Sequence, residues 1–300
     1  MEKVQIYQCF HDDGSFPEAK YISSIRPALL CGSSATHRNT DHITGCLRDD
    51  VGENISAENP QYSELTGYYW AWKNVIPEYA EFYGEKYIGI EHYRRHFLSP
   101  RIDHIDEFVK TSDLLGRDDI YSILSGNACY NIILPIHESL ANTSVYDLYC
   151  ICFTKEQTDD MVKCMNRYWA EKAELGDPIA EPILNETHKY LADHTLVRGN
   201  MMITSHPVFS LYCDCLFPMI DYLKEHMTTF KPESRVWGYV SEIFPMIFTN
   251  AVRLKPKFVH VAVDDFNLDT QTAHVHTTFN NHEEEFNKDP NEQIKYFKSL

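Results

Sequence analysis

Two rhythms of apolar and polar positions run along the chain. Val4–Cys9 is a compact apolar-rich run broken at once by the polar turn His11-Asp12-Asp13-Gly14, which predicts a strand feeding a loop. Residues 31–55 are rich in Gly, Ser, Thr, Asn and Asp and read as loop. Asn59-Pro60 then reads as an N-cap followed by proline at the first helical position. Leu65, Tyr69, Trp72 and Ile76 recur at helical spacing, so a helix is predicted over 60–76, stopped by Pro77. Tyr87-Ile88-Gly89-Ile90 has the continuous apolar character of a buried strand, and it runs directly into Glu91-His92-Tyr93-Arg94-Arg95-His96. Such a change from buried strand to charged cluster suits the carboxyl end of a parallel strand, where α/β sheets bind ligands.

Downstream, residues 103–125 read as one or two helices and Asn131–Ile136 as another strand. Thr154 and Gln157 have capping-box spacing, opening a helix to about Leu175; residues 176–186 read as a proline-containing loop. A strand is built on Met201-Met202-Ile203, and a helix follows from Pro207 to about Met227. Ser234 is placed as the cap of a helix carrying Trp237, Val240, Ile243, Phe244 and Ile247, kinked at Pro245. Phe258–Val263 reads as a last strand. The division expected is one domain over 1–263 and a polar extension over 264–300, poorly packed or peripheral, that includes Glu283-Glu284-Glu285. Alternating strands and helices predict an α/β, Rossmann-like fold, a mixed sheet flanked by helices.

Composition narrows the partners. Among 300 residues the formal net charge is −17, a field that repels polyanions and excludes duplex nucleic acid as a natural partner. A phosphate ligand remains compatible, because local arginines act within a screening length of about 8–10 Å. The aromatic content of 13% suits either a large core or flat platforms for sugars and bases. Nine cysteines, an odd number with no Cys-x-x-Cys pair, read as reduced thiols and point to the cytoplasm. No signal-peptide pattern opens the chain, and no apolar run nears the roughly 18–20 residues that span a bilayer. Membrane contact is expected to be at most peripheral, at the inner face.

Three segments carry the chemistry. The first is Asn54-Ile55-Ser56-Ala57-Glu58-Asn59 with Glu64-Leu65-Thr66-Gly67-Tyr68-Tyr69-Trp70-Ala71-Trp72-Lys73-Asn74. The second is Tyr87-Ile88-Gly89-Ile90-Glu91-His92-Tyr93-Arg94-Arg95-His96-Phe97. The third is Arg198-Gly199-Asn200-Met201-Met202-Ile203, with Arg235 to Glu242 downstream. Together, over roughly residues 4–263, they resemble a family of bacterial capsular and exopolysaccharide biosynthesis glycosyltransferases formerly classed as a domain of unknown function. The Trp-x-Trp-Lys-Asn and His-Tyr-Arg-Arg segments are its specific marks. The chain departs from the pattern at His11-Asp12, where the family has His-Lys, at Glu58, where it has Lys, and at Met202, where it has Phe.

The resemblance implies a GT-A-like nucleotide-sugar fold, a nucleotide-sugar donor (a uridine diphosphate sugar is expected), and a glycan or lipid-linked glycan acceptor. Enzymes of that fold carry an Asp-x-Asp metal motif where this chain has Glu91-His92-Tyr93-Arg94-Arg95. A departing diphosphate gathers negative charge, which Mg²⁺ or Mn²⁺ ordinarily meets. Here Arg94 and Arg95 are the candidates to meet it with guanidinium forks, so no cofactor is expected; one of these adjacent side chains could instead point away into a structural ion pair. The alternative is a metal held by Glu91, His92 and a histidine such as His260. A pair at His274 and His276 is a remoter metal candidate. Glu242, on the same helical face as Arg235, is the first candidate for the base, and Asp50 the second.

His11, Asn54, Ser56, Asn59, Glu64, Tyr68, His92, Asn200 and Arg235 complete the expected donor and substrate contacts. Asn54, Ser56 and Asn59 precede a helix amino end, where free N–H groups favour phosphate or sugar oxygens, although plain capping explains them too. Glu64 and Tyr68 share a helical face opposite the Leu65 stripe and are expected to line the cleft. Trp70 and Trp72 read as core. Two other readings stay open: a non-catalytic sugar- or nucleotide-binding subunit of a polysaccharide assembly complex, and a hydrolase using Glu91 with Glu242.

Overall fold

The computed structural model describes residues 3–17, 21–35, 39–78, 86–102, 110–127, 129–230, 235–267, 272–277 and 290–300. The chain divides into two compact units. The first comprises residues 1–136, 199–213 and 255–278, the second 137–198, 214–254 and 279–300.

The first unit is built on β1 (Lys3–Phe10), β2 (Ala28–Leu30), β3 (Leu47–Arg48), β4 (Lys86–His92), β5 (Arg95–Phe97) and β6 (Ile132–Pro135). The short β7 (Glu138–Ser139) and β8 (Thr195–Leu196) pair with each other in the second unit. β9 (Met202–Ser205), β10 (Pro256–Val259), β11 (Val261–Asn267) and β12 (Thr272–Thr277) return to the first. The sheet runs β10-β6-β9-β4-β1-β2-β3. β1 is flanked by β2 and β4, both parallel to it, and β9 runs antiparallel between β4 and β6. This is the mixed α/β sheet that the sequence pattern predicts.

β4 lies in the interior of the sheet, and residues Tyr87 to Glu91 are all buried, as a continuous apolar run requires. Gly89 is there because of a close approach: a Cβ would stand 2.7 Å from Ile203 Cγ1 and 3.1 Å from the Met202 carbonyl oxygen. One face of the sheet packs Val4, Ile6, Tyr87, Ile133 and Ile203 against Ile120 and Ile123 of the helix Arg117–Leu124. That helix falls within the span read as helical; the earlier part of that span, 103–109, lies outside the described residues.

Several expectations are corrected. The stretch 31–55 is not all loop, because β3 sits within it, and β2 lies just before it. The helix expected over 60–76 is broken. Helical turns occupy Asn59–Tyr62 and Leu65–Trp70, separated by Ser63 at φ 52°, and a π-turn spans Ala71–Val75 before Ile76–Glu78. Asn59 is the first helical residue rather than the cap, which falls at Glu58.

The second unit is helical. Thr154 caps Lys155–Glu174 by accepting from the Gln157 N–H at 3.1 Å, as its spacing predicts. The helix Val145–Cys152, not foreseen, precedes it. The loop expected at 176–186 gives way to the helix Ala180–Leu191, because Pro182 falls in its first turn, where no intrahelical N–H is needed. Pro245 does not kink a helix but stands at the start of a new one, Phe244–Ala251, after Val236–Ser241. Ser234, the expected cap, lies outside the described residues.

Trp169 stacks on Phe244 with ring centroids 6.3 Å apart. The poorly packed end expected from 264 onward is not what residues 290–300 show. Pro290–Ser299 is a helix whose Phe297 is fully buried beside Tyr146, with its carbonyl held by Asn166 at 2.8 Å. One apolar side chain at the right turn docks an otherwise polar helix. Glu283-Glu284-Glu285 lies outside the described residues, as do the side chains of His274 and His276 on β12.

Candidate functional site

β4 does not simply end in a charged cluster. It turns back through Tyr93-Arg94 into β5, so that His92 and Arg95 face each other as an antiparallel pair. The Tyr93 N–H donates to the Cys9 carbonyl at 3.0 Å, tying the turn to the carboxyl end of β1. The His11 ring stands edge-on to Tyr93, centroids 5.5 Å apart, and the Arg94 guanidinium carbon lies 5.6 Å from the centre of the Tyr93 ring. His11 and Arg94 thus each approach Tyr93 at the ends of adjacent parallel strands, Arg94 exposed and His11 half-buried. Asp12, at the place where His-Lys was expected, caps a short turn by accepting from the Ser15 N–H at 2.9 Å and lies 3.3 Å from His11 Nε2.

Arg95 takes the opposite direction. Its Nη1 would be 3.0 Å from a Cβ on Gly199, and Gly199 holds φ +90°, a conformation that L side chains rarely adopt. Asn200 follows at φ 38° and is buried. Its Nδ2 donates to Glu64 Oε1 at 2.7 Å, and its carbonyl accepts from Tyr68 Oη at 2.7 Å. Glu64 Oε1 is also 3.7 Å from His92 Nε2. Four expected residues thus meet: Glu64, Tyr68, His92 and Asn200, with Arg95 alongside.

Tyr68 does not line a cleft. It is fully buried, stacked on Phe209 at 5.5 Å, and its phenol is pushed well up by burial; it supports Asn200 from beneath. Burial is also the main reason that the His92 ring is held below the ordinary histidine value. Glu64 and the Gly199 backbone oppose that shift, while Arg95 and Arg94 add to it.

Asn54, Ser56 and Asn59 serve a loop. Ser56 is fully buried, and its hydroxyl donates to Asp49 Oδ1 at 2.5 Å and accepts from the Ser34 N–H at 3.1 Å. Asp49, also buried, takes the N–H groups of Gly32 and Ser33 at 2.8 and 3.1 Å, closing the turn after β2. Asn54 accepts from the Ser56 N–H, and the buried Asn59 donates to the Ser63 carbonyl at 2.7 Å. Asp50 pairs with Arg48 at 3.1 Å. Trp70 is buried, as expected, while Trp72 is only half-buried, with Lys73 Nζ 3.5 Å from its ring centre.

Glu91 is fully buried and committed to structure. Arg26 Nε lies 3.3 Å from Oε2, His96 Nδ1 lies 3.6 Å from the same oxygen, and the Phe97 N–H donates to Oε1 at 3.0 Å. Burial works against its charge, yet Arg26, His96 and that N–H outweigh it and hold the carboxyl below the ordinary value. Its role in a hydrolase or in a metal trio with His92 and His260 is accordingly taken up by an ion pair. Among the described residues no group of three His, Cys, Asp or Glu is placed to hold an ion.

Arg235 and Glu242 belong to the second unit. They stand at opposite ends of Val236–Ser241, as its N-cap and C-cap. Tyr149 donates to the Tyr239 carbonyl at 2.5 Å, and its phenol is raised by burial first and by Glu242 next. Sequence reasoning missed Gly199, Arg26 and Asp49. Gly-Asn at 199–200 is a turn dipeptide that could have flagged the first; a lone buried arginine and aspartate carry no such local signal.

Residues 5–253 match a family profile described as a domain of unknown function, DUF4422. Among solved structures the fold is similar to that of the WbbM bifunctional glycosyltransferase in its apo form. Identity is 25% and the TM-score 0.65, over 86% of this chain and 45% of that one. The chain therefore spans less than half the length of that bifunctional enzyme. No curated protein matches. No helix among the described residues is long and apolar enough to cross a membrane.

Proposed function

The chain belongs to that family, and we propose that it is a glycosyltransferase, moving a sugar from a nucleotide-sugar donor, a uridine diphosphate sugar, to a hydroxyl of a glycan or lipid-linked glycan in surface-polysaccharide synthesis. The likeness to a bifunctional glycosyltransferase supports the reaction class. The observation that carries the reading is the hairpin at the carboxyl end of β4, with Arg94 exposed against Tyr93 and Arg95 against Gly199.

In the transfer, the bond from sugar C1 to the β-phosphate oxygen breaks and its electron pair leaves with the nucleoside diphosphate. The acceptor oxygen bonds to C1 and loses its proton. Charge grows on the β-phosphate as the bond breaks, and a fixed guanidinium stabilises it without reorganising. Arg94 and Arg95 fill that role in this reading, and Mg²⁺ or Mn²⁺ is the alternative. The reaction belongs on the cytoplasmic side, with at most peripheral membrane contact.

Titration calorimetry against a panel of nucleotide sugars, with and without a chelator, tests donor and metal together. Binding that survives chelation and weakens about 10- to 100-fold in Arg94→Ala or Arg95→Ala is expected. Wild-type protein that binds no nucleotide sugar overturns the proposal.

A further inference from the structure

Resting on the transferase reading, we infer that Glu64, with His92 beside it, is the base that takes the proton from the acceptor hydroxyl, the role that the sequence pattern offers to Glu242. Glu64 enters the first unit through a break in the helix: Ser63 adopts φ 52° and ψ −132° immediately before it. The Glu64 side chain is 10% exposed and that of His92 16%, although His92 Nε2 is itself buried. Asn200 fixes Glu64 Oε1 by donating to it at 2.7 Å, and Asn200 is itself held by Tyr68. Among the described residues nothing donates to Oε2, and His92 Nε2 has no hydrogen-bond partner. The carboxylate is oriented through Oε1.

The separation of 3.7 Å between His92 Nε2 and Glu64 Oε1 is too long for a hydrogen bond. His92 also faces Arg95 across the hairpin, so the neighbour of the Glu64 carboxylate and a guanidinium suited to the leaving diphosphate are register partners. A direct displacement needs this neighbourhood, since attack and departure occur at one carbon. In the step, the acceptor O–H bond breaks with its proton passing to Glu64. The oxygen forms the bond to C1, and the C1–phosphate bond electrons leave with the nucleoside diphosphate. One displacement inverts the configuration at C1.

The test measures kcat, donor Kd and product configuration in Glu64→Gln, which keeps the size and the acceptor for Asn200 but not the basicity. A fall in kcat of about 100-fold or more, with donor Kd changed less than about threefold and an inverted wild-type product, supports the inference. A kcat within about tenfold of wild type, or a retained configuration, overturns it. If Glu64→Gln fails to fold, Glu64→Asp decides. It keeps the charge but withdraws the carboxylate by one methylene, so a loss of about tenfold or more in kcat supports the inference and an unchanged kcat refutes it. A wild-type protein without donor binding instead refutes the transferase reading itself, which keeps the two failures apart.

Discussion

Removing the charge of Glu91 should unfold the protein early without touching its chemistry. Glu91 has no exposed surface and its partner Arg26 is 4% exposed, so Glu91→Gln leaves a guanidinium buried with its Leu115 carbonyl contact but without its counter-charge. Breaking a buried pair from one side costs about 3–5 kcal/mol, because the surviving charge pays its desolvation alone. Taking the lower figure, and about 2–4 °C per kcal/mol for a chain of this size class, the melting temperature should fall by about 6–12 °C at neutral pH. Glu91 also carries a sign that acid titration can read. Its folded carboxyl is held below the ordinary value, so its contribution is complete above that value and is lost as pH falls through the lowered folded one. The gap between wild type and Glu91→Gln should therefore close as acid is added. Melting followed by circular dichroism from neutral to acid pH measures both. A fall of less than about 2 °C at neutral pH, or a gap that widens in acid, would refute the ion-pair account.

Two further outcomes follow from the geometry. Gly199→Ala forces a side chain into φ +90° and against Arg95 Nη1 at 3.0 Å. It should cost about 1–2 kcal/mol of stability and weaken uridine diphosphate binding about tenfold, read by denaturant unfolding and calorimetry. Asn74→Ala removes the bonds to the Glu53 N–H at 3.1 Å, the Glu53 carbonyl at 2.8 Å and the Trp70 carbonyl at 2.9 Å. It should cost about 1–2 kcal/mol, seen as a lower urea midpoint, and should speed proteolytic cutting near residues 51–54.

What the sequence disclosed depended on how far the physics reached along the chain. The interior strand β4 was legible because burial on both faces leaves a continuous apolar run. The Thr154 cap was legible because its partner is three residues away. β2 and β3 were not, since strands of three and two residues are too short to show a periodicity. Pro182 misled because a proline tolerated in a first turn looks like one that ends a helix. The end of the chain was misread because one buried Phe297 does not change a polar average. In the site, each of His92, Arg94, Arg95, Glu64 and Asn200 stood out by residue type. That Asn200 holds Glu64, 136 residues away, is a fact of the fold alone.

The adjacency of Arg94 and Arg95 shows how a local rule fails at a turn. In an uninterrupted strand, neighbouring side chains point to opposite faces, so only one of two adjacent arginines can meet a ligand. That rule makes the pair look redundant, one cation for substrate and one for a structural partner. The Tyr93-Arg94 turn suspends the alternation. Arg94 falls at the turn, exposed over Tyr93, while Arg95 begins β5 and is carried back to His92 and Gly199. The reversal sets one guanidinium at the mouth of the parallel strands and the other beside Gly199, across from His92. Under the proposed transfer, the donor diphosphate has two phosphoryl groups and a sugar carbon at one end of them, so it suits cations that differ in exposure and in neighbours better than two equivalent ones. The hairpin supplies that difference from consecutive residues.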